Sequence, residues 1–246
     1  MYNWTTAQVK ERAKSALRTF GYWRAFIVTF IIIFLAGGAS GGSSTASGIF
    51  SDGGIAPLDP AVLYAASAAI LAVGVVALAF FVFVSAPLIV GQNRFFMEHR
   101  GCNAEVGRVF WVFGCGDYLN VVKIMFLAGL KIFLWSLLFI IPGIVKSFEY
   151  FAIPYILAEN PGIDSKRAFE LSKQMTMGEK FDIWWLKITF IGWHLLSILL
   201  CGIGEFFLAP YIQATNAEVY SILRDKAHET GVSDFIELPG FFPAAQ

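Results

Sequence analysis

A chain of 246 residues in which 57% are apolar, 16% aromatic and only 15% charged lies outside the composition of soluble globular domains. Its 18 basic and 18 acidic side chains cancel, which excludes the cationic footprint of a nucleic-acid binder. Cys102, Cys115 and Cys201 are too scattered for a disulfide framework or a paired metal motif. The class that remains is a multi-span helical membrane protein, with its first apolar run kept as a span because no small-residue cleavage site closes it.

Thr5 to Phe20 places Val9, Ala13, Ala16, Leu17 and Phe20 on one helical face and Lys10, Glu11, Arg12, Lys14 and Arg18 elsewhere. A Thr5-x-x-Gln8 capping box opens the segment and Gly21 closes it, so an amphipathic helix at the cytoplasmic interface is expected. The first span follows at about 22–36, anchored by Tyr22, Trp23 and Arg24. Residues 37–60 are rich in Gly and Ser, with Asp52 and Asp59 but no Lys or Arg, and are expected to form an exposed loop on the outer side. The apolar run 61–91 would be ~46 Å long as a helix against a hydrocarbon core of ~30 Å, so it must tilt, protrude or kink at Pro87.

After Asn103, the spacing of Val106, Val109, Phe110 and Phe113 predicts a second amphipathic helix ending at Gly114. A third span from Tyr118 to Ile141, a turn at Pro142-Gly143 and a fourth span at about 144–159 come next. Asp164 then caps a third amphipathic helix, whose face is Ala168, Leu171, Ser172 and Met175 and whose end is Gly178. Spans at about 181–200 and 204–221 precede a cytoplasmic tail over 227–246.

Three stretches share one pattern. Glu149 is followed by two aromatics, Pro154 and Asn160; Glu205 by two aromatics, Pro210 and Asn216; Pro87 and Asn93 repeat the spacing with Val82 in place of the acid. The expected fold is therefore all-α and polytopic: one domain over 1–226 with six transmembrane helices in three tandem two-span repeats, at about 5–93, 103–160 and 164–221. Each repeat begins with an interfacial amphipathic helix. With Lys146 the only basic residue assigned near the outer surface, both termini face the cytoplasm.

The candidate site residues lie in the same pattern. Carboxylates in apolar spans are costly, which makes Glu149 and Glu205 candidates, although each also suits a helix N-terminus. Pro87, Pro154 and Pro210 are expected to kink their helices and free the carbonyls of Phe83, Tyr150 and Phe206, which beside the two acids would suit a small cation. A kink without a ligand is the simpler reading. Lys131 is expected to turn inward and pair with Glu149 or Glu205, and Lys123 and Lys187 to snorkel. His194 reads as packed or hydrogen-bonded, Asn93 and Asn160 as helix C-caps and Asn216 as an interhelical donor.

Ile141-Pro-Gly-Ile, Ile153-Pro-Tyr-Ile-Leu-Ala-Glu-Asn-Pro, Leu171-Ser-Lys-Gln-Met-x-x-Gly-Glu-Lys180, Ile191-Gly-Trp-His-Leu-Leu-Ser, Gly202-Ile-Gly and Ala209-Pro-Tyr-Ile together resemble the bacterial domain-of-unknown-function family numbered 975. The resemblance runs over roughly 5–225 and is most specific from Ile141 onward. It implies a bacterial inner-membrane protein with several spans, and it implies no catalytic residue. A non-enzymatic accessory or scaffold protein is the expected function, with a small-solute or ion transporter as the alternative. The expected partners are the lipid bilayer and either another membrane protein or a second copy; no metal, cofactor or nucleic acid is expected.

Overall fold

The computed structural model describes residues 4–37, 60–199 and 202–241, and among these it is helical with no strand. The loop expected over 37–60 falls almost wholly outside the described residues, as does Cys201. Helix α1 (Thr6–Phe20) opens on the expected capping box, with Thr5 accepting from the Gln8 backbone and Gln8 returning the bond. Gly21 takes φ 102°, a conformation that other residues rarely adopt, and the chain bends by 103° into α2 (Tyr22–Gly37).

Helix α3 (Pro60–Phe80) runs through a five-residue π-helical stretch, Phe81–Ser85, directly into α4 (Ala86–Glu98). The irregularity expected at Pro87 is thus a widened turn just before it, and Pro87 itself sits in the first turn of α4. Because α4 continues to Glu98, Asn93 is a buried mid-helix residue and not the C-cap that its spacing implied.

The second amphipathic segment departs from expectation. Val106–Phe110 forms a 3-10 turn that leads into the short α5 (Trp111–Gly114), and the buried positions are Val109 and Val112 while Phe110 and Phe113 stay exposed. Three residues per turn, in place of 3.6, bring Val106, Val109 and Val112 into line, which explains the change of face. Gly91 permits the contact, since a Cβ there would lie 1.9 Å from the Val109 carbonyl oxygen.

Helix α6 (Tyr118–Leu138) turns at Phe139, whose backbone is extended (φ −153°, ψ 140°), into α7 (Ile140–Glu149). Pro142 and Gly143 lie inside the first turns of α7 and do not make the turn, a correction with a clear cause. Proline is tolerated where helix N–H groups have no partner, and Gly143 lets α7 lie against Ser136, whose Cα would be 2.7 Å from an added Cβ. The expected fourth span is two helices, α7 and α8 (Ile153–Glu159), broken over 150–152 before Pro154.

Helix α9 (Ser165–Met175) starts at Asp164, whose carboxylate accepts from the Lys166 and Arg167 amides. Helix α10 (Lys180–Leu199) and helix α11 (Ile203–Glu229) follow, and α11 passes through Pro210 without a break. Residues 230–241 fold back over the end of α11, with Leu238 fully buried.

Two zones differ in how they bury apolar surface. Around α1, α4, α8, α9 and the second half of α11 the core is tight, with Ala13, Phe95, Ile156, Leu171 and Tyr220 inaccessible to solvent. The apolar stripe of α1, Val9, Ala13 and Leu17, packs inward with α11 as its main neighbour, so this amphipathic helix finds its apolar partner within the protein. In contrast, Leu71, Val73 and Val76 on α3, Leu137 and Leu138 on α6, Ile140 and Ile141 on α7, and Ile198 and Leu199 on α10 are each more than half exposed. Exposed apolar surface of this extent marks a face that contacts a membrane or another protein. Among the described residues three stretches are long and apolar enough to cross a membrane: Ser67–Glu98, Tyr118–Leu138 and Ile140–Glu159. The bent α1 and α2 pair would make a fourth.

Candidate functional site

The break between α7 and α8 brings the most chemistry together. Tyr150, Phe151 and Ala152 leave the helical ladder there, and Pro154 has no N–H to donate to the Tyr150 carbonyl. That carbonyl is nevertheless occupied, since the Ile153 amide donates to it at 3.2 Å. The Glu149 carbonyl accepts the Ser172 hydroxyl at 2.7 Å and the Thr176 hydroxyl at 3.4 Å, both from the α9 side.

The Glu149 carboxylate is 6% exposed and held by two lysines. Lys146 Nζ lies 3.1 Å from each oxygen, and Lys180 Nζ lies 3.3 Å from Oε2. Lys131 does not pair with Glu149 or Glu205 as expected. Its ammonium sits over the Phe169 ring at 3.4 Å and 5.9 Å from the Tyr150 ring, a cation–π arrangement that replaces the ion pair. Lys187 is held in the same way, 4.8 Å from the Phe148 ring and 5.7 Å from that of Phe151.

Glu205 belongs to a separate place. Its Oε2 is 3.0 Å from His194 Nδ1, with both side chains about two-fifths exposed (43% and 41%). His194 is therefore the hydrogen-bonded histidine that its sequence context indicated. Near the prolines the other carbonyls also meet hydroxyls: Tyr118 donates to the Phe83 carbonyl, and Tyr22 donates to that of Phe207 at 2.6 Å. Phe206, the predicted carbonyl position, packs its ring against Phe30 at 5.8 Å between centroids.

The packed zone carries a series of ion pairs. Glu98 meets Arg94 (3.0 Å) and Arg108 (3.4 Å), Glu218 meets Arg100 (2.8 Å), Glu179 meets Lys226 (2.5 Å) and Trp4 (2.9 Å), and the fully buried Glu159 carboxylate meets Arg224 (3.2 Å). Arg94 also stacks on Trp111, 3.7 Å from the ring centroid, and donates to the Ala158 carbonyl. The tail is fastened to this zone. Arg167 grips Glu237 at 2.7 and 2.8 Å, which raises the arginine's pKa, and it also donates to the Val232 carbonyl. Gly240 donates to Glu159, and Asn160, the observed C-cap of α8, donates to the Glu237 carbonyl.

His99 stands apart from these pairs. It is 2% exposed between Phe95, stacked at 5.1 Å, and Phe20, edge-on at 5.9 Å, and neither ring nitrogen makes a well-formed hydrogen bond. Burial pushes its pKa below the usual histidine value and the nearby Arg24 charge adds to the effect, while a weak polar contact with the Gly21 backbone opposes both.

Lys146 and Lys180 were missed as partners of Glu149. The first was legible, as a basic residue three positions before an acid on one helix, and the second was not, being 31 residues away. Among the described residues no three His, Cys, Asp or Glu side chains gather as a metal-binding group.

Residues 117–227 match the family described as "Protein of unknown function (DUF975)", a segment that contains the α7–α8 break, Glu149, Lys131 and Glu205. No curated protein and no solved structure matches the chain.

Proposed function

We propose that the protein is a non-enzymatic accessory or scaffold protein of the bacterial cytoplasmic membrane, with six spans in three repeats and both termini in the cytoplasm. One observation carries the functional part: the buried glutamates Glu98, Glu149, Glu159, Glu179 and Glu218 are each tied to a basic side chain. Buried ion pairs of this kind fix one arrangement of helices, and among the described residues each of these five carboxylates already has a basic partner.

The repeat reading draws support from matching contacts. Tyr118 at the start of the second repeat reaches a carbonyl of the first, Lys180 and Ser172 of the third reach Glu149 of the second, and Tyr22 of the first reaches Phe207 of the third. The links close a ring, as three copies around one axis would. Ser136 against Gly143 and Ser197 against Gly204 are a second matched pair, each seven residues apart at a hairpin tip.

The transporter alternative calls for Lys131, Glu149 and Glu205 around one cavity. The separate pairing of Glu205 with His194 favours the scaffold. The test is purification from membranes in mild detergent, followed by a thermal-shift screen against ions and amino acids and by native mass spectrometry. The scaffold reading expects no solute to shift the melting temperature and a protein partner or second copy to be retained at fixed stoichiometry. Solute flux in proteoliposomes that is lost in Glu149→Gln or Glu205→Gln would overturn it.

A further inference from the structure

The segment 148–151 at the α7–α8 break gathers more positive charge than it neutralises. Four ammonium groups, those of Lys131, Lys146, Lys180 and Lys187, touch this one short segment or its carboxylate, and among the described residues Glu149 is the one acid that pairs with any of them. Four positive charges against one negative leave a net charge of +3. Among the described residues Lys131 and Lys187 have no carboxylate partner at all, only the faces of Phe169, Tyr150, Phe148 and Phe151. Each ammonium carries three donors, and Glu149 uses only part of what Lys146 and Lys180 offer. A cation of the kind expected from the sequence would meet repulsion here, whereas an anion would find unused donors.

The position of the cluster indicates which anion. On one side lie the exposed apolar residues of the α6–α7 tip, including Leu138, Ile140 and Ile141. On the other lies α8, with Ile156, Leu157 and Ala158 fully buried. Alongside, α9 contributes Phe169 to the Lys131 contact while it turns Lys166, Glu170 and Lys173 to the exterior. Lys146 and Lys180 remain 25% and 34% exposed. Trp135, 5.7 Å from Lys146, is an aromatic of the type that marks membrane–water boundaries. Basic residues at such a boundary attract anionic lipid.

We propose that the lysine cluster around the α7–α8 break binds a phosphate group, carried by the headgroup of an anionic phospholipid. The proposal rests on the membrane reading given above. Lys131 and Lys187, oriented by their aromatic rings, supply the charge that Glu149 does not cancel.

The test uses the full chain in mild detergent, with lipid binding read by native mass spectrometry and by thermal unfolding. Phosphatidylglycerol is expected to bind at least tenfold more tightly than phosphatidylcholine, and the preference is expected to shrink as salt is raised. The double variant Lys131→Gln/Lys187→Gln should lose most of that preference, while Lys14→Gln on exposed α1 should keep it. Glu149→Gln removes the competing acid and should tighten phosphatidylglycerol binding severalfold, a direction that a merely structural role for the cluster does not give. Inorganic phosphate that protects the wild type and not the double variant would identify the same site with a free anion as its occupant. The proposal is overturned by an absence of headgroup preference, or by a preference that survives the double substitution. Retention in the membrane pellet after an alkaline wash tests the membrane reading separately, so either can fail alone.

Discussion

Substituting Gly143 by Ala introduces a single methyl group at the point where α6 and α7 touch. Its Cβ would stand 2.2 Å from Ser136 Oγ, 2.9 Å from Ser136 Cβ and 2.7 Å from Ser136 Cα. A rotamer change can move the hydroxyl, but the Cα belongs to the backbone, so the two helices must separate. Overpacking of this kind costs about 1–3 kcal/mol, and a backbone obstacle places it toward the upper part of that range. In the opposite direction, alanine has a higher helix propensity by about 1 kcal/mol. The net expectation is a loss of about 1–2 kcal/mol. The assay is thermal unfolding of detergent-purified protein, with Gly129→Ala as the control, since no atom lies within 4 Å of a Cβ added on that part of α6. Gly129→Ala should be neutral or stabilising. Adding Ser136→Gly to Gly143→Ala should recover only part of the loss, because it clears Oγ and Cβ but leaves Cα. If Gly143→Ala melts with Gly129→Ala, the close approach of the hairpin is not as described.

Other perturbations address the remaining features. Because His99 has a depressed pKa in the folded chain, the unfolded chain takes up its proton first as pH falls. Stability should therefore fall as pH drops through the unfolded histidine value near 6.5 and level off below the folded value, each unit of depression amounting to about 1.4 kcal/mol. His99→Phe should flatten that part of a melting profile measured between pH 7.5 and 5.5, and an unchanged slope would contradict the burial argument. Arg167→Met releases Glu237 and the Val232 carbonyl. With the pair partly open to solvent, a loss of about 1–2 kcal/mol is expected, together with faster proteolysis within 230–241; an equally protected tail would show that Leu238 alone holds it. Gly21→Ala meets no atom within 4 Å, so its expected cost of about 1–3 kcal/mol comes from the positive φ alone and should appear as a lower melting temperature.

What was legible in the chain was local. The Thr5 capping box, the Asp164 cap, the helix end at Gly21 and the apolar stripes of α1 and α9 follow from neighbouring residues and are found where the residues put them, whereas α9 ends at Met175, three residues before the expected Gly178. Errors arose where distant packing decides. The 3-10 geometry after Asn103 depends on Gly91 admitting the Val109 backbone, and nothing near Val109 records that contact. The turn at Phe139 was misplaced because Pro142-Gly143 has the composition of a turn yet serves as a helix start and a close contact. For the site, Glu149 was legible as a costly charge, but its use was not. Lys180 and Phe169 come from other helices, and only the fold shows that Lys131 faces rings and not an acid.

Of the three segments that carry the repeated proline, α11 is the one that runs through it as a single helix. Its 27 residues form a rod of about 40 Å with its start at a hairpin tip and its end beside the fastened tail. The equivalent segments contain joints, a π-helical turn before Pro87 and an open break before Pro154, where strain can relax. A rod without a joint does not relax in this way, and tilting one end must displace the other. If the chain lies in a bilayer as proposed, a displacement at Gly204 would therefore reach Arg224, the Glu159 pair and the tail bound to it as leverage, with α1 moving as a packed companion.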